Sequence, residues 1–284
     1  MKENLGRVPL PRLRRREPTP TLNGEYREGS HGARARQRLK ITNEEEIAAR
    51  LRSLPGDQPR FVVSGNFATP WELVRLVNDS VEHCRVFTLN PQVGWPVRAG
   101  LVTETPFVGP GVREDPLLDY LPMRLSLVPR LFESIRCPDA VLIHTSAPRH
   151  GKVSLGIEVN VIPSAVDEVR RRGGLVVAQV NERIPYTYGD GEIAVEDIDL
   201  AIEVAGVLPS PAPRPYDDAS AIGQQVARLA SDGCTIQTGI GQLPEARLAS
   251  MRDQRGVGVW GCGRSSSMAA SWTLNVPVPW TSIA

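Results

Sequence analysis

At 284 residues the chain is long enough for one large or two medium domains, each with its own core. Hydrophobic content of 41%, charged content of 23% and a formal net charge of +1 are those of an ordinary globular chain, with no overall pull toward nucleic acid or a membrane. No apolar run approaches the roughly 20 residues of a membrane span, no signal-peptide segment opens the chain, and Cys84, Cys137, Cys234 and Cys262 form no CxxC pair, so a reduced, cytoplasmic chain without disulfide framework or metal site is expected.

Residues 1–39 are read as a disordered Arg-rich extension, because Arg7 to Lys40 is basic, Pro-containing and poor in apolar residues. A nucleic-acid arm is the sharper reading of that run, but no aromatic interleaving supports it. An unstructured extension, or a start site placed too early, is the plainer one. The first ordered helix is expected in "TNEEEIAARLRSL", with Thr42 or Asn43 as cap and Ile47, Leu51 and Leu54 on one face. "RFVVSG" from Arg60 to Gly65 reads as a buried strand. "TPWELVRLVNDSV" reads as a helix opened by a capping box, Thr69 with Glu72, and by Pro70 at its first turn. "RVFTLN" is the next strand. "AVLIHTSAP" from Ala140 to Pro148 is a strand entering a polar turn. "PSAVDEVRRRGG" is a helix with Ser164 and Asp167 as cap partners and Gly173 as terminator.

"LVVAQVN" is apolar as far as Gln179, as a parallel strand covered on both faces should be. "DIDLAIEV" supplies another strand. The first domain is therefore placed at 40–207 and a Pro-rich linker at 208–218. A second domain opens at 219–255, with a helix whose Ile222, Val226 and Leu229 face inward, then strand, glycine turn and helix in "CTIQTGIGQLPEARLASMR". Residues 256–284 form an aberrant tail, uncharged beyond Arg264 and without periodicity. Alternating strands and helices imply an α/β fold with mainly parallel sheets.

The stretch most suggestive of chemistry is "DGCTIQTGIGQLPEARL". A strand that ends in Gly-x-Gly and turns into a helix puts backbone N–H groups and a helix N-terminus at the sheet's carboxyl edge, a ready anion site. A tight turn without ligand is the plain alternative. "VNERIPYTYGD" and "LIHTSAPRHGKVSLG" have the character of loops above a sheet. His144 and His150 flank Ser146 in what reads as a turn, and no third ligand or orienting acid stands at a recognisable spacing, so neither is assigned catalysis. Cys137 and Cys234 are read as packing residues.

These segments resemble the acetyl-CoA hydrolase/transferase family, which includes acetate and 4-hydroxybutyrate CoA-transferases. Ser146, Pro148, Gly151, Ser154, Leu155 and Gly156 match its "S-P-x-x-x-G-x-x-S-L-G" segment. Val180, Asn181, Pro185, Gly189 and Asp190 match its "V-N-x-x-x-P-x-x-x-G-D" segment, with Ile184 and Tyr186 where the family usually has Met and Arg. Asp232, Gly233, Gln237, Gly239, Ile240, Gly241, Pro244 and Ala246 match "D-G-x-x-L-Q-x-G-I-G-x-x-P-x-A". The resemblance spans roughly residues 42 to 255. It implies two α/β domains of the CoA-transferase (NagB/RpiA-like) type, the second incomplete. It implies no bound cofactor, coenzyme A as a substrate, a small carboxylic acid as the other partner, no nucleic acid or membrane partner, and a homo-oligomer when full-length. Gln237, Gly239, Ile240, Gly241, Asn181 and Pro185 are the CoA- or substrate-binding positions it implies.

The mechanism the resemblance implies is covalent. A glutamate attacks the acyl-CoA thioester to give a mixed anhydride, and the released CoA thiolate then attacks the glutamyl carbonyl to give an enzyme–CoA thioester. Glycine-turn N–H groups would hold the oxyanion. The family's glutamate sits in "L-G-[VIM]-[HW]-[ST]-E-x-x-x-D-G", yet here no glutamate follows Glu245, so no catalytic residue is assigned. Read one base out of frame from Trp260, the codons permit "G-[VLM]-[WR]-[STAP]-E-L-V-D-G". The expectation is therefore a frameshifted chain truncated before its catalytic glutamate and inactive as it stands, with a naturally different tail as the alternative. An acyl-CoA hydrolase and a non-catalytic acyl-CoA-binding protein are the rival functions.

Overall fold

In the computed structural model, residues 39–209, 217–237, 242–251 and 253–260 are described. The first elements follow the periodicities of the sequence. Helix α1 spans Glu44–Arg52 and is capped by Asn43, whose Oδ1 accepts from the Glu46 N–H at 2.9 Å. Then come β1 (Arg60–Val63), α2 (Trp71–Ser80), β2 (Cys84–Phe87), β3 (Leu101–Thr105), β4 (Asp119–Tyr120), α3 (Val128–Glu133) and β5 (Ala140–Thr145). A short antiparallel pair, β6 (Lys152–Ser154) and β8 (Glu192–Ala194), brackets α4 (Ile162–Arg172) and β7 (Leu175–Val180). Strand β9 (Leu200–Glu203) completes this part.

Seven strands make one wholly parallel sheet in the order β4-β3-β2-β1-β5-β7-β9. Its two faces are covered separately, so the central strands are buried along their length. On one side Ile47 and Leu51 of α1 and Leu73 and Val77 of α2 pack over Phe61, Val63, Leu142 and Val177. On the other, Phe132 of α3 and Ile162, Val166 and Val169 of α4 pack over Val62, Phe87, Ile143 and Val176. Each fully buried side chain of this size contributes roughly 1.5–3 kcal/mol, and Phe87 and Phe132 add an edge-to-face contact at 4.9 Å.

Two expected caps are replaced. Thr69 does not cap α2, because its hydroxyl donates to the Asn66 carbonyl at 2.8 Å. The Glu72 N–H is satisfied instead by Oε1 of Gln179, at 3.1 Å from β7. Helix α4 begins at Ile162 with Pro163 in its first turn, so Ser164 and Asp167 lie inside it and cap nothing. Gly173 does end that helix, at φ +72°. The strand expected over 197–204 is shorter, since Val195–Asp197 is a 3₁₀ turn and β9 starts at Leu200.

Among the described residues, a smaller cluster follows: α5 (Asp217–Ala227), β10 (Thr235–Gln237), α6 (Gln242–Ala249) and β11 (Gly258–Trp260). Strands β10 and β11 pair in parallel, Ile236 opposite Val259. The expected inward face of α5 is not the one buried. Ile222 is 48% and Leu229 88% exposed, and Val226 is half-buried. Gly223 and Ala227 are buried instead, because α5 crosses α6 so closely that a Cβ on Gly223 would meet the Ala246 carbonyl at 2.7 Å.

Candidate functional site

The sheet order marks a candidate site. From β1 the chain runs outward through β2, β3 and β4, then returns to the other side of β1 with β5 and runs outward again. The segments leaving the carboxyl ends of β1 and β5 therefore diverge, and that crevice is where open parallel sheets bind ligands.

After β1 the backbone turns at Gly65 and Asn66. Gly65 passes against the chain after β2, since a Cβ there would fall 2.0 Å from the Leu89 carbonyl oxygen. Asn66 has φ +51° and Asn90, after β2, φ +50°. Asn tolerates this left-handed conformation better than most other side chains, and residues held in it cluster at active sites and ligand clamps. The Asn90 amide donates to Asn66 Oδ1.

After β5 the two motif loops pack on one another. Ser154 Oγ accepts from the N–H groups of Gly156 (3.1 Å) and Thr187 (2.9 Å) and donates to the Thr187 carbonyl (2.9 Å). Ser146 Oγ accepts from the Ser154 N–H at 3.0 Å. Gly156 has φ +63°, and a Cβ on it would strike Ile184 Cγ2 at 2.4 Å. The serines and glycines of the first motif thus hold the second one in place. Asn181 is buried, with its Oδ1 accepting from the Arg183 N–H and its amide donating to the Gly206 carbonyl, each at 3.0 Å. Pro185 is half-buried in the same loop, Tyr186 lies under the Arg149 guanidinium at 4.8 Å, and its hydroxyl donates to Glu192 at 2.8 Å.

Beneath the crevice lies a buried polar line that the sequence did not reveal. His144 is part of β5, not of a turn, and is 4% exposed. Gln179 Nε2 donates to His144 Nε2 at 3.4 Å, which leaves the ring proton on Nδ1. Burial lowers the His144 pKa to about 4, against an opposing pull from the Ala68 and Thr69 carbonyls. His144 is therefore a neutral spacer. His150, at φ +50°, sits in the exposed turn.

Of the expected binding positions, Asn181 and Pro185 lie in one loop at this edge, and Gln237 is exposed at the end of β10. Gly239, Ile240 and Gly241 lie outside the described residues. Reasoning on sequence missed Asn66, Asn90, Glu158 and Gln179. The available signal was asparagine directly after two strands, in "SGN" and "TLN".

A family model described as acetyl-CoA hydrolase/transferase N-terminal domain matches residues 104–207, which includes both motif loops. Residues 104–207 thus carry the N-terminal domain of the acetyl-CoA hydrolase/transferase family. A 4-hydroxybutyrate coenzyme A transferase of Clostridium kluyveri is 36% identical over 144 residues, 50% of this chain and 33% of that protein. A succinyl-CoA:acetate/propanoyl-CoA:succinate CoA transferase of Fasciola hepatica is 30% identical over 220 residues, 72% of this chain and 45% of that one. The matches thus span less than half the length of these relatives. Two solved structures share the fold of this chain. RipA from Yersinia pestis has a TM-score of 0.62 at 20% identity, over 78% of this chain and 56% of that one. A 4-hydroxybutyrate CoA-transferase from Porphyromonas gingivalis has 0.58 at 21%, over 78% and 54%.

Proposed function

We propose that the chain serves the transfer of CoA between an acyl-CoA and a small carboxylic acid, and that the crevice between the segments after β1 and β5 receives the acid and the acyl end of the thioester. The observation that carries this reading is the switch in strand order between those two parallel strands, with both family motif loops built onto that edge. The names of the relatives, which describe CoA transfer involving 4-hydroxybutyrate, acetate or succinate, agree with it.

In this reading Pro185 and the loop fixed by Asn181 line the acid end, while Gln237, Gly239, Ile240 and Gly241 contact CoA. The chemistry proposed is the glutamyl-CoA exchange set out above. No glutamate follows Glu245 in this sequence, so the 284-residue chain should bind acyl-CoA without exchanging it. Calorimetry with acetyl-CoA, paired with a labelled-acetate exchange assay, tests both halves. Saturable binding without exchange is expected. Absence of binding would overturn the site, and exchange by the chain alone would overturn the role given to the missing glutamate.

A further inference from the structure

Glu158, between β6 and α4, differs from the other buried glutamates. Glu104 is surrounded by Arg60, Arg85 and Arg136, and Glu168 pairs with Arg171 and Arg172. Glu158 is only 4% exposed, and among the described residues no cation pairs with it. Its partners are two neutral amides. Asn66 Nδ2 donates to Oε2 at 3.0 Å and Asn160 Nδ2 to Oε1 at 2.6 Å.

Its location matters as much as its isolation. Asn66 follows β1 and is tied to Asn90 after β2, so Glu158 closes a chain of three segments over the sheet's carboxyl edge. Thr145, the last residue of β5, adds a buried hydroxyl without a hydrogen-bond partner at that edge. By strand alternation it belongs to the face of Val141 and Ile143. Burial pushes the Glu158 pKa up, and the bonds from Asn66 and Asn160 only partly oppose this. A carboxyl in its neutral form has an O–H to donate, which a carboxylate lacks.

We propose that Glu158 is a specificity residue of this crevice: in its neutral form it donates a hydrogen bond to the carboxylate of the small acid. This rests on the reading of the crevice as the acid site. No covalent step is involved. The proton stays on Glu158, shared with the incoming carboxylate oxygen, as in sites where a neutral carboxylic acid serves as donor. Ionised Glu158 would instead repel the ligand. Affinity should therefore be greatest below the Glu158 pKa and fall about tenfold per pH unit above it, as one linked proton requires. The groups facing Glu158 are Asn66 from the segment after β1, Asn160 from its own loop and, one bond away, Asn90. None of them titrates, and His144 lies on the opposite face of the sheet.

The test is acetate binding to the full chain across pH, with acetamide as the uncharged control. Wild type should lose acetate affinity as pH rises, and Glu158→Gln, a permanently neutral donor, should bind acetate with a flat profile. The carboxyl ¹³C signal of Glu158 in the unaltered chain gives an independent readout: acetate should raise its titration midpoint, whatever the stability of the variant. A pH-independent wild type, an unshifted midpoint, or an equal slope in Glu158→Gln would overturn the role of Glu158 and leave the acid site standing. Absence of acetate binding by both proteins at every pH would overturn the acid site as well.

Discussion

The seven-stranded region and the α5–β11 region are built from the same kind of alternating elements, yet they are stabilised differently. The first buries both faces of its sheet under helices, in two continuous apolar layers. Among the described residues the second has a two-stranded sheet and a core of Ala227, Ile236, Leu248, Met251 and Val257, and it leaves Ile222, Leu229 and Leu243 exposed. Its two helices meet backbone on backbone at Gly223, where a Cβ would have no room. Alternation of strand and helix therefore sets the class of a region, while the number of strands that find cover sets its stability. The first region should unfold with a large cooperative transition and the second at lower denaturant.

The largest test of that contrast is Glu104→Ala. It would leave Arg85 and Arg136 with Asp119 as their remaining anion and would take from Arg60 its carboxylate partner Glu104, and removing one member of such a buried ion cluster costs about 3–5 kcal/mol. Chemical denaturation should show that loss in the first transition alone. A shift shared by both regions would mean that they fold as one unit.

Acid provides the next effect. His144 is held neutral in the fold with a pKa near 4, below its ordinary 6.5. The unfolded chain takes up that proton first, so stability is fully present above about pH 6.5 and falls as pH drops from there toward 4, by about 3 kcal/mol in all. His144→Gln should flatten that part of the stability profile in the first region. The second region should not respond, and an equal acid loss in both would break the contrast.

Gly223→Val should act in the opposite place. Forcing a side chain against the α6 backbone costs about 1–3 kcal/mol, and hydrogen exchange should speed up in α5, α6 and β10 while β5 and β7 stay protected. Smallest is Gln179→Leu, which removes the distant partner of the Glu72 N–H together with the long contact to His144 and should cost about 1–2 kcal/mol, seen as fraying of the first turn of α2. If α2 keeps its exchange protection, Thr69 has taken over the cap.

Local chemistry was legible wherever neighbours in sequence decide it. The Asn43 cap, the Gly173 terminator and the mainly apolar runs of β1 and β7 could be read directly, because the hydrogen bonds, dihedral angles and side-chain patterns involved span only a few residues. So could the family, through serines and glycines whose spacing the two loops impose on each other. Strands β3 and β4, the β6–β8 pair and the partner of β10 escaped the reading, since two to five residues carry too little periodicity to stand out. The Thr69 cap failed because Gln179, 107 residues away, competes for the same N–H, and the exposed face of α5 was misjudged because a glycine contact outweighed its apolar stripe. The sequence by itself determined the α/β class, the family and the loops that carry its motifs. Only the tertiary structure decided the strand order that opens the crevice between β1 and β5, and the meeting of Asn66, Asn90 and Glu158 there, because long-range contacts depend on which strands pair and leave no local pattern to read.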